Sequence, residues 1–466
     1  MNNVPLHQIY SNVNAKKLFP KRSEILEDLK LHRNCDILIV GGGVHGAVMA
    51  HLAAFNGFRT VLLEMNDYAS GGSAVTDGLL FGDLKTQNPY IIRRKIRSAK
   101  DLLNTTKHLL HPVNLTLKGS PPYLFSLANK IGGRTLQQEH LFDANFCSTR
   151  YVLDRIFAAR QEGARSLNYA KVTAYHAKAG GGVDVSWVDQ LSGDKFNTSC
   201  GVMINCCGVW QSQLGRITPQ HSNKFQTLRR EVYTFQKKLD LSPTLLYDTA
   251  GRSFTINPFG EKTVISAFER EISDVTKDVK RDEEDIKRWL ADNVPQLVEI
   301  PFSVKSVDYL RPRGRAAARG YYWNINGGVF SLIGGSFVDG VDIAEDCLRK
   351  VVTLSGVDSK CTSLRGRVLA GAADYDGAAK EFLSATKAAN IPSIVSKACL
   401  ERWGRRALMV LDKPEGLHLV AGKVLKGEID LAVELEQGVY PDDVVKRRFG
   451  LDDNEITSEV GKVLAS

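Results

Sequence analysis

The chain of 466 residues, 43% hydrophobic and 24% charged, is too long for one simple core and has the balance of two or three globular domains. A net charge of +9 favours anionic partners, but no zinc-finger spacing or aromatic RNA-binding signature accompanies it, so nucleic acid is not an expected partner. No stretch reaches roughly 18 consecutive apolar residues, and the polar start has no signal-peptide core. A cytoplasmic protein is expected, with a peripheral membrane contact left open. The eight cysteines include no CxxC pair, which argues for reduced thiols and against a metal site.

Residues 1–34 read as a basic N-terminal extension, with Ile25, Leu26 and Leu29 on one short helical stripe. Asp36–Val40 is a β-branched apolar run, the pattern of a buried parallel strand. A glycine-rich turn, an alanine-rich helix over Val44–Phe55 and a second strand over Arg59–Glu64 complete a βαβ unit. A basic helix is expected over Ile91–Leu110. From Lys171 the chain turns to short alternating strands with Gly180-Gly181-Gly182 and Ser192-Gly193-Asp194 as turns, ending in the strand Val202–Asn205. Residues 211–330 stay strand-rich around a helix at Asp282–Asp292. A strand at Val329–Ile333 then leads through Gly334-Gly335 to a helix over Asp339–Thr353, and the tail from Gly371 reads as helical.

The βαβ turn carries Gly41-x-Gly43-x-x-Gly46. The first glycine makes the turn, the second admits a pyrophosphate and the third lets helix and strand pack closely. Val44 and His45 open the helix whose N-terminus faces the phosphates, and His45 is expected on that side. Glu64 ends the next strand eighteen residues past Gly46, placed to accept hydrogen bonds from a ribose. Three features favour a tightly held flavin, FAD, over a nicotinamide. Met65 is followed by a small-residue loop with Ser70, Gly71, Gly72 and Ser73. The meander, which includes Val172, leads into Asn205-Cys206-Cys207-Gly208 and Trp210. Gly334, Gly335 and Ser336 supply a second close backbone approach.

These stretches, with DILIVGGGVHGAVMA, LLEMNDYASGGS, VMINCCGVW, YLRPRG and SLIGG, resemble the FAD-dependent glycerol-3-phosphate dehydrogenase family, within the group that includes D-amino-acid oxidase. ERWGRRALMVL and VELEQGVYPDDVVKRRFGL resemble that family's helical cap. The resemblance implies an α/β fold with a discontinuous, Rossmann-like FAD-binding domain (35–210 and 329–355). It also implies an inserted β-rich substrate domain (211–328) and a helical C-terminal domain (356–466). It further implies hydride transfer from a small anionic hydroxy substrate to noncovalent FAD, with Arg311 and Arg319 holding the anion and facing the flavin. Arg313 and Arg315 add charge nearby. A homodimer through the C-terminal helices is compatible with this reading.

The sequence also departs from the family. Val75, Gly78 and Phe81-Gly82-Asp83 replace a polar, basic stretch with a His-Gly-Gly. Val232 stands near the family's histidine, Ser266-Ala267-Phe268-Glu269 at its Gly-Thr-Thr-Asp, and Ser336 at its lysine. The basic helix is followed by a shorter segment than in membrane-associated members, which argues against dipping into lipid. Two further readings follow from the departures. One is a flavoenzyme for a larger alcohol, sugar or amine, with Glu231 or Glu269 as a new base. The other is an inactive FAD-binding or assembly protein.

Overall fold

The structure, a computed structural model, describes residues 19–81, 88–121, 123–133, 140–214, 224–250, 252–273, 275, 283–355 and 361–465. The start of the N-terminal extension, Gly82 and Asp83, and the side chain of Arg315 lie outside the described residues. Among the described residues, fifteen strands form two large sheets. In chain order they are β1 (Asn34–Val40), β2 (Thr60–Leu63), β3 (Leu110–Lys118), β4 (His140–Phe146) and β5 (Arg165–Leu167). The meander follows as β6 (Ala170–Ala177), β7 (Val183–Asp189) and β8 (Lys195–Asn205). Next come β9 (Phe225–Phe235), β10 (Thr244–Tyr247), β11 (Ser253–Phe259), β12 (Lys262–Glu271) and β13 (Phe302–Pro312). The last two are β14 (Tyr321–Asn326) and β15 (Val329–Gly334).

The first sheet runs β14-β15-β8-β1-β2-β5, with β15, β8, β1, β2 and β5 paired in parallel. Its parallel strands are buried on both faces. On β1, Ile37 and Ile39 join the core shared with helix α1 (Val44–Phe55), while Leu38 and Val40 pack with Val185 and Trp187 of the meander. Helix α1 has buried alanines at 47, 50, 53 and 54, so it lies close against the sheet and against α2 (Ser148–Gln161).

The second sheet runs β13-β9-β12-β11-β10-β3-β4. Strands β3 and β4 correct the expected domain division, because residues 110–118 and 140–146 pair into this sheet and not the first. Conversely β14, expected in the substrate domain, pairs antiparallel with β15. The basic helix stops at Thr105, short of the expected Leu110, which begins β3. One face of the second sheet packs Tyr233, Phe235 and Phe254 against Ile286, Trp289 and Leu290 of α3 (Glu283–Asn293). Its other face looks toward the first sheet.

The C-terminal region forms its own core from α4 (Tyr375–Ala388), α5 (Ser393–Trp403), α6 (Lys426–Glu434) and α7 (Asn454–Ala465), with a small two-stranded ladder at 419–425. Buried ion pairs fasten it to the first domain. Arg150 of α2 makes a two-point contact with Glu436 at 2.9 and 2.8 Å, and Arg406 pairs with Asp154. Arg448, on the π-helical turn Asp443–Arg448, pairs with Asp67. Among the described residues, no helix is long and apolar enough to cross a membrane.

Candidate active site

One cavity of about 990 Å³ opens between the two sheets, at the upper end of the range for cofactor and substrate pockets. Gly41, Gly43, Val44, His45, Glu64, Met65, Ser70, Gly71, Gly72, Ser73, Val172, Gly208, Trp210, Gly334, Gly335 and Ser336 all line it. Residues far apart in the chain thus converge because β1, β2, β8 and β15 end on the same side of a parallel sheet.

The glycine turn has the shape a pyrophosphate needs. Gly41 has φ +105°, and a Cβ there would lie 2.7 Å from the Cys206 carbonyl oxygen. Gly46 does not line the cavity. It packs under the turn, in the role expected of the third glycine. Ser73 reaches back from the small-residue loop and accepts the Val44 N–H at 3.0 Å, which fixes the loop to the start of α1. A Cβ on Gly71 would meet the Trp210 ring at 2.9 Å, so the loop and the turn after β8 close on each other only with glycine there.

Glu64 accepts the Gly42 N–H at 2.6 Å through one oxygen and the Asn66 N–H at 2.8 Å through the other. Each oxygen keeps a second acceptor site for a ribose hydroxyl. Burial pushes the Glu64 carboxyl above its usual range, against these backbone donors. Glu64→Gln loses the charge and can accept from only one of the two amides. It should weaken FAD binding by about 1–3 kcal/mol, measured by fluorescence titration of the cofactor-free protein.

His45 departs from expectation. Its imidazole packs beside Gly335, where a Cβ would lie 2.6 Å from Nε2, and so stands at the late Gly-Gly turn and not at the phosphate end. Nε2 is buried without a hydrogen-bond partner in the protein, and burial lowers the ring's pKa to about 4. A neutral imidazole with an unused nitrogen beside the cavity fits a bound cofactor better than an empty apolar core.

The open face of the second sheet forms another wall of the cavity. Arg230, Val232, Ser266, Tyr309 and Arg311 line it, with Val75, Phe81 and Phe337 opposite. Arg311 lines the cavity, and its guanidinium is paired with Glu269, at 2.8 and 2.9 Å. Arg319 is a correction: its side chain is exposed and does not line the cavity, because only the neighbouring Gly320 turns inward. Its carbonyl instead accepts from Arg94 at 2.8 Å. Arg313 is likewise exposed and bonded to Gln226 and Glu271. Arg230 and Tyr309 were missed as site residues; alternation along β9 and β13 was the signal that could have found them.

Neither substituted base position can take a proton readily. Val232 is apolar, and Ser336 donates to Asp339 at 3.0 Å. Glu231 lies on the core side of β9, where it accepts from the Tyr233 hydroxyl at 2.6 Å and pairs with Arg270.

Residues 140–332 match the family described as DAO, FAD dependent oxidoreductase. The chain is also similar to glycerol-3-phosphate dehydrogenases and oxidases. It is 27% identical to a glycerol-3-phosphate dehydrogenase of Synechocystis sp. over 38% of this chain and 40% of that protein. It is 25% identical to the D-erythritol 1-phosphate dehydrogenase of Brucella abortus, over 54% of this chain and 58% of that one. The matched regions thus span between two fifths and three fifths of these relatives. The fold is shared with the glycerol-3-phosphate dehydrogenase from Bacillus halodurans complexed with FAD, at TM-score 0.72 and 18% identity over 96% of this chain and 97% of that one.

Proposed function

We propose that this chain holds FAD noncovalently and oxidises a small anionic hydroxy compound at the hydroxyl-bearing carbon. The supporting observation is a single cavity that joins the glycine turn and Glu64 to a wall bearing Arg230, Tyr309 and Arg311. FAD supplies the hydride-accepting ring; the protein's own residues bind, orient and exclude water. Glu64 takes the ribose hydroxyls and the start of α1 takes the phosphates. The turn at Gly334 and Gly335, with φ +82° and +96°, would offer backbone free of side chains to the ring end. Arg311 and Arg230 hold the substrate's anionic end, and Val75, Phe81 and Phe337 keep that end of the cavity dry. Cytoplasmic residence belongs to the same proposal, since eight thiols without a disulfide suit a reducing compartment.

The test is anaerobic reduction of the FAD-loaded protein by glycerol 3-phosphate and by D-erythritol 1-phosphate, the compounds in the relatives' names. Proton removal by a placed base is worth about 10²–10⁴ in rate, and Val232 and Ser336 cannot supply it near neutral pH. Glycerol 3-phosphate should therefore bleach the flavin slowly, below about 1 per second, with the longer polyol phosphate faster. Bleaching by glycerol 3-phosphate at about 1–10³ per second would show that the substitutions leave the small-substrate activity intact. A purified protein that takes up no FAD would defeat the oxidoreductase reading itself.

A further inference from the structure

We infer that the C-terminal helical domain clamps the cofactor site, with Gln437 as the residue that positions the loop after β2; this rests on the reading of the cavity as an FAD site. The two ends of that loop, Glu64 to Asn66 and Ser70 to Ser73, line the cavity, while Asp67, Tyr68 and Ala69 between them turn away from it. The corner that turns away is still built into the glycine turn. Ala69 donates its N–H to the Gly42 carbonyl at 3.0 Å, and Gly42 donates its own N–H to Glu64. A Cβ on Gly42 would lie 2.8 Å from the Tyr68 ring and 2.9 Å from the Glu64 Cβ. A shift of this corner therefore moves the glycine turn and Glu64 together.

The corner is held from the C-terminal side. Tyr68 donates its hydroxyl to Gln437 Oε1 at 2.9 Å, and Gln437 Nε2 donates to the Ser166 carbonyl of β5 at 3.1 Å. The Asn168 side-chain amide donates to the Gln437 carbonyl at 2.8 Å and to the Asp67 carboxylate at 3.0 Å. Arg447 and Arg448 reach Asp67 from the π-helical turn. Tyr169 joins the two sides, donating its N–H to the Asn66 carbonyl at 2.9 Å and its hydroxyl to Asp443 of that turn at 2.8 Å. Backbone strain gathers at the same place. Eight non-glycine residues among those described have positive φ, and three of them meet here: Ala69 at +58°, Tyr169 at +54° and Gln437 at +55°. Such conformations persist only where several contacts fix them at once, and they cluster at functional sites. The shape that docks the C-terminal domain is also the shape that seats Glu64 and Gly42, so docking and FAD binding favour each other.

The experiment titrates FAD into the full-length cofactor-free protein, read by flavin fluorescence, in the wild type, Tyr68→Phe, Gln437→Met and the double variant. Each single change should raise the FAD dissociation constant by about fivefold or more. The double variant should add little, since both changes remove the same bond. Ile456→Val is the control: Ile456 is buried in the C-terminal core, so the change should lower the urea midpoint and leave the FAD constant unmoved. In the wild type, FAD should also slow hydrogen exchange of residues 436–449, and Tyr68→Phe should lose that effect. An FAD constant unmoved in both single variants overturns the inference. So does an equal shift in Ile456→Val, or exchange at 436–449 that ignores FAD in the wild type. If Gln437→Met does not fold, Tyr68→Phe decides alone, because it keeps the buried ring and removes only the hydroxyl. A wild type that takes up no FAD fails the reading of the cavity; one that binds FAD with these constants unmoved fails this inference alone.

Discussion

Gly46→Ala should yield a colourless protein, with FAD affinity lower by about 4 kcal/mol or more, roughly a thousandfold. A Cβ at Gly46 would stand 1.8 Å from the Gly41 carbonyl oxygen, deep inside contact distance, and 3.5 Å from an Ile39 methyl. The clashing partner is backbone, so no rotamer change relieves it. Helix α1 would have to move off β1, and its N-terminus, which the proposed pyrophosphate faces, would move too. Gly46 itself does not line the cavity, so the loss would report the position of the helix and not a missing contact. Gly57→Ala is the control. It follows the other end of the same helix at φ +82° with no heavy atom within 4 Å of the added carbon. Backbone strain there should cost about 1 kcal/mol of stability and leave the flavin in place. Stoichiometric FAD in purified Gly46→Ala would refute the argument.

Arg448→Met should destabilise the protein by about 3–5 kcal/mol, seen as a lower urea midpoint. The guanidinium is fully buried and donates to the Asp67 carboxylate, to the Asp443 carbonyl at 2.8 Å and to the Glu436 carbonyl at 2.7 Å. Removing it leaves Asp67 buried with one guanidinium neighbour in place of two, Arg447 at 2.7 Å. The double variant Asp67→Asn/Arg448→Met removes the stranded charge and should recover part of the loss. The pH dependence follows the same logic. Burial alone would raise the Asp67 carboxyl, but Arg448 and Arg447 more than offset it and hold it below the usual 3.8. A carboxyl lowered on folding stabilises the protein above its unfolded pKa, and that contribution fades only as pH falls through the lowered folded value. Without Arg448 burial regains weight, so acid unfolding should begin at higher pH than in the wild type. A midpoint shift worth less than about 1 kcal/mol would mean that Arg447 alone satisfies Asp67.

The βαβ unit was legible because three independent signals coincide within thirty residues: a β-branched run, glycines at fixed spacing and an acid after the second strand. Strand β3 was not legible. Its sequence LHPVNLTLK contains a proline, and its parallel partner is β10, more than a hundred residues away. Local pattern does not encode which sheet such a strand joins. The residues assigned to the cofactor line one cavity because they lie at strand ends, where backbone geometry dictates residue type. The residues of the arginine-bearing wall were less legible, since their direction depends on side-chain alternation. Arg319 was assigned from motif position alone, and the one-residue difference from Gly320 turns its side chain outward. Glu269 was noticed as a carboxylate, but its partners depend on an inserted residue in β12 that period-two reading cannot see.

The order in which the strands fill the two sheets has a consequence for how the polypeptide must fold. Strands β1 and β2 belong to the first sheet, β3 and β4 to the second, β5 to β8 to the first, β9 to β13 to the second, and β14 and β15 to the first again. The chain therefore crosses between sheets four times, and no single cut separates them. Neither sheet can be completed until sequence far downstream has been made, so pairing such as β1 with β8 must wait on distant segments. A nascent chain lacking β15 would leave the Met203–Asn205 end of β8 without its outer partner, beside an apolar core. Expression of C-terminally shortened forms ending before residue 329 should accordingly give aggregation and not a smaller folded unit.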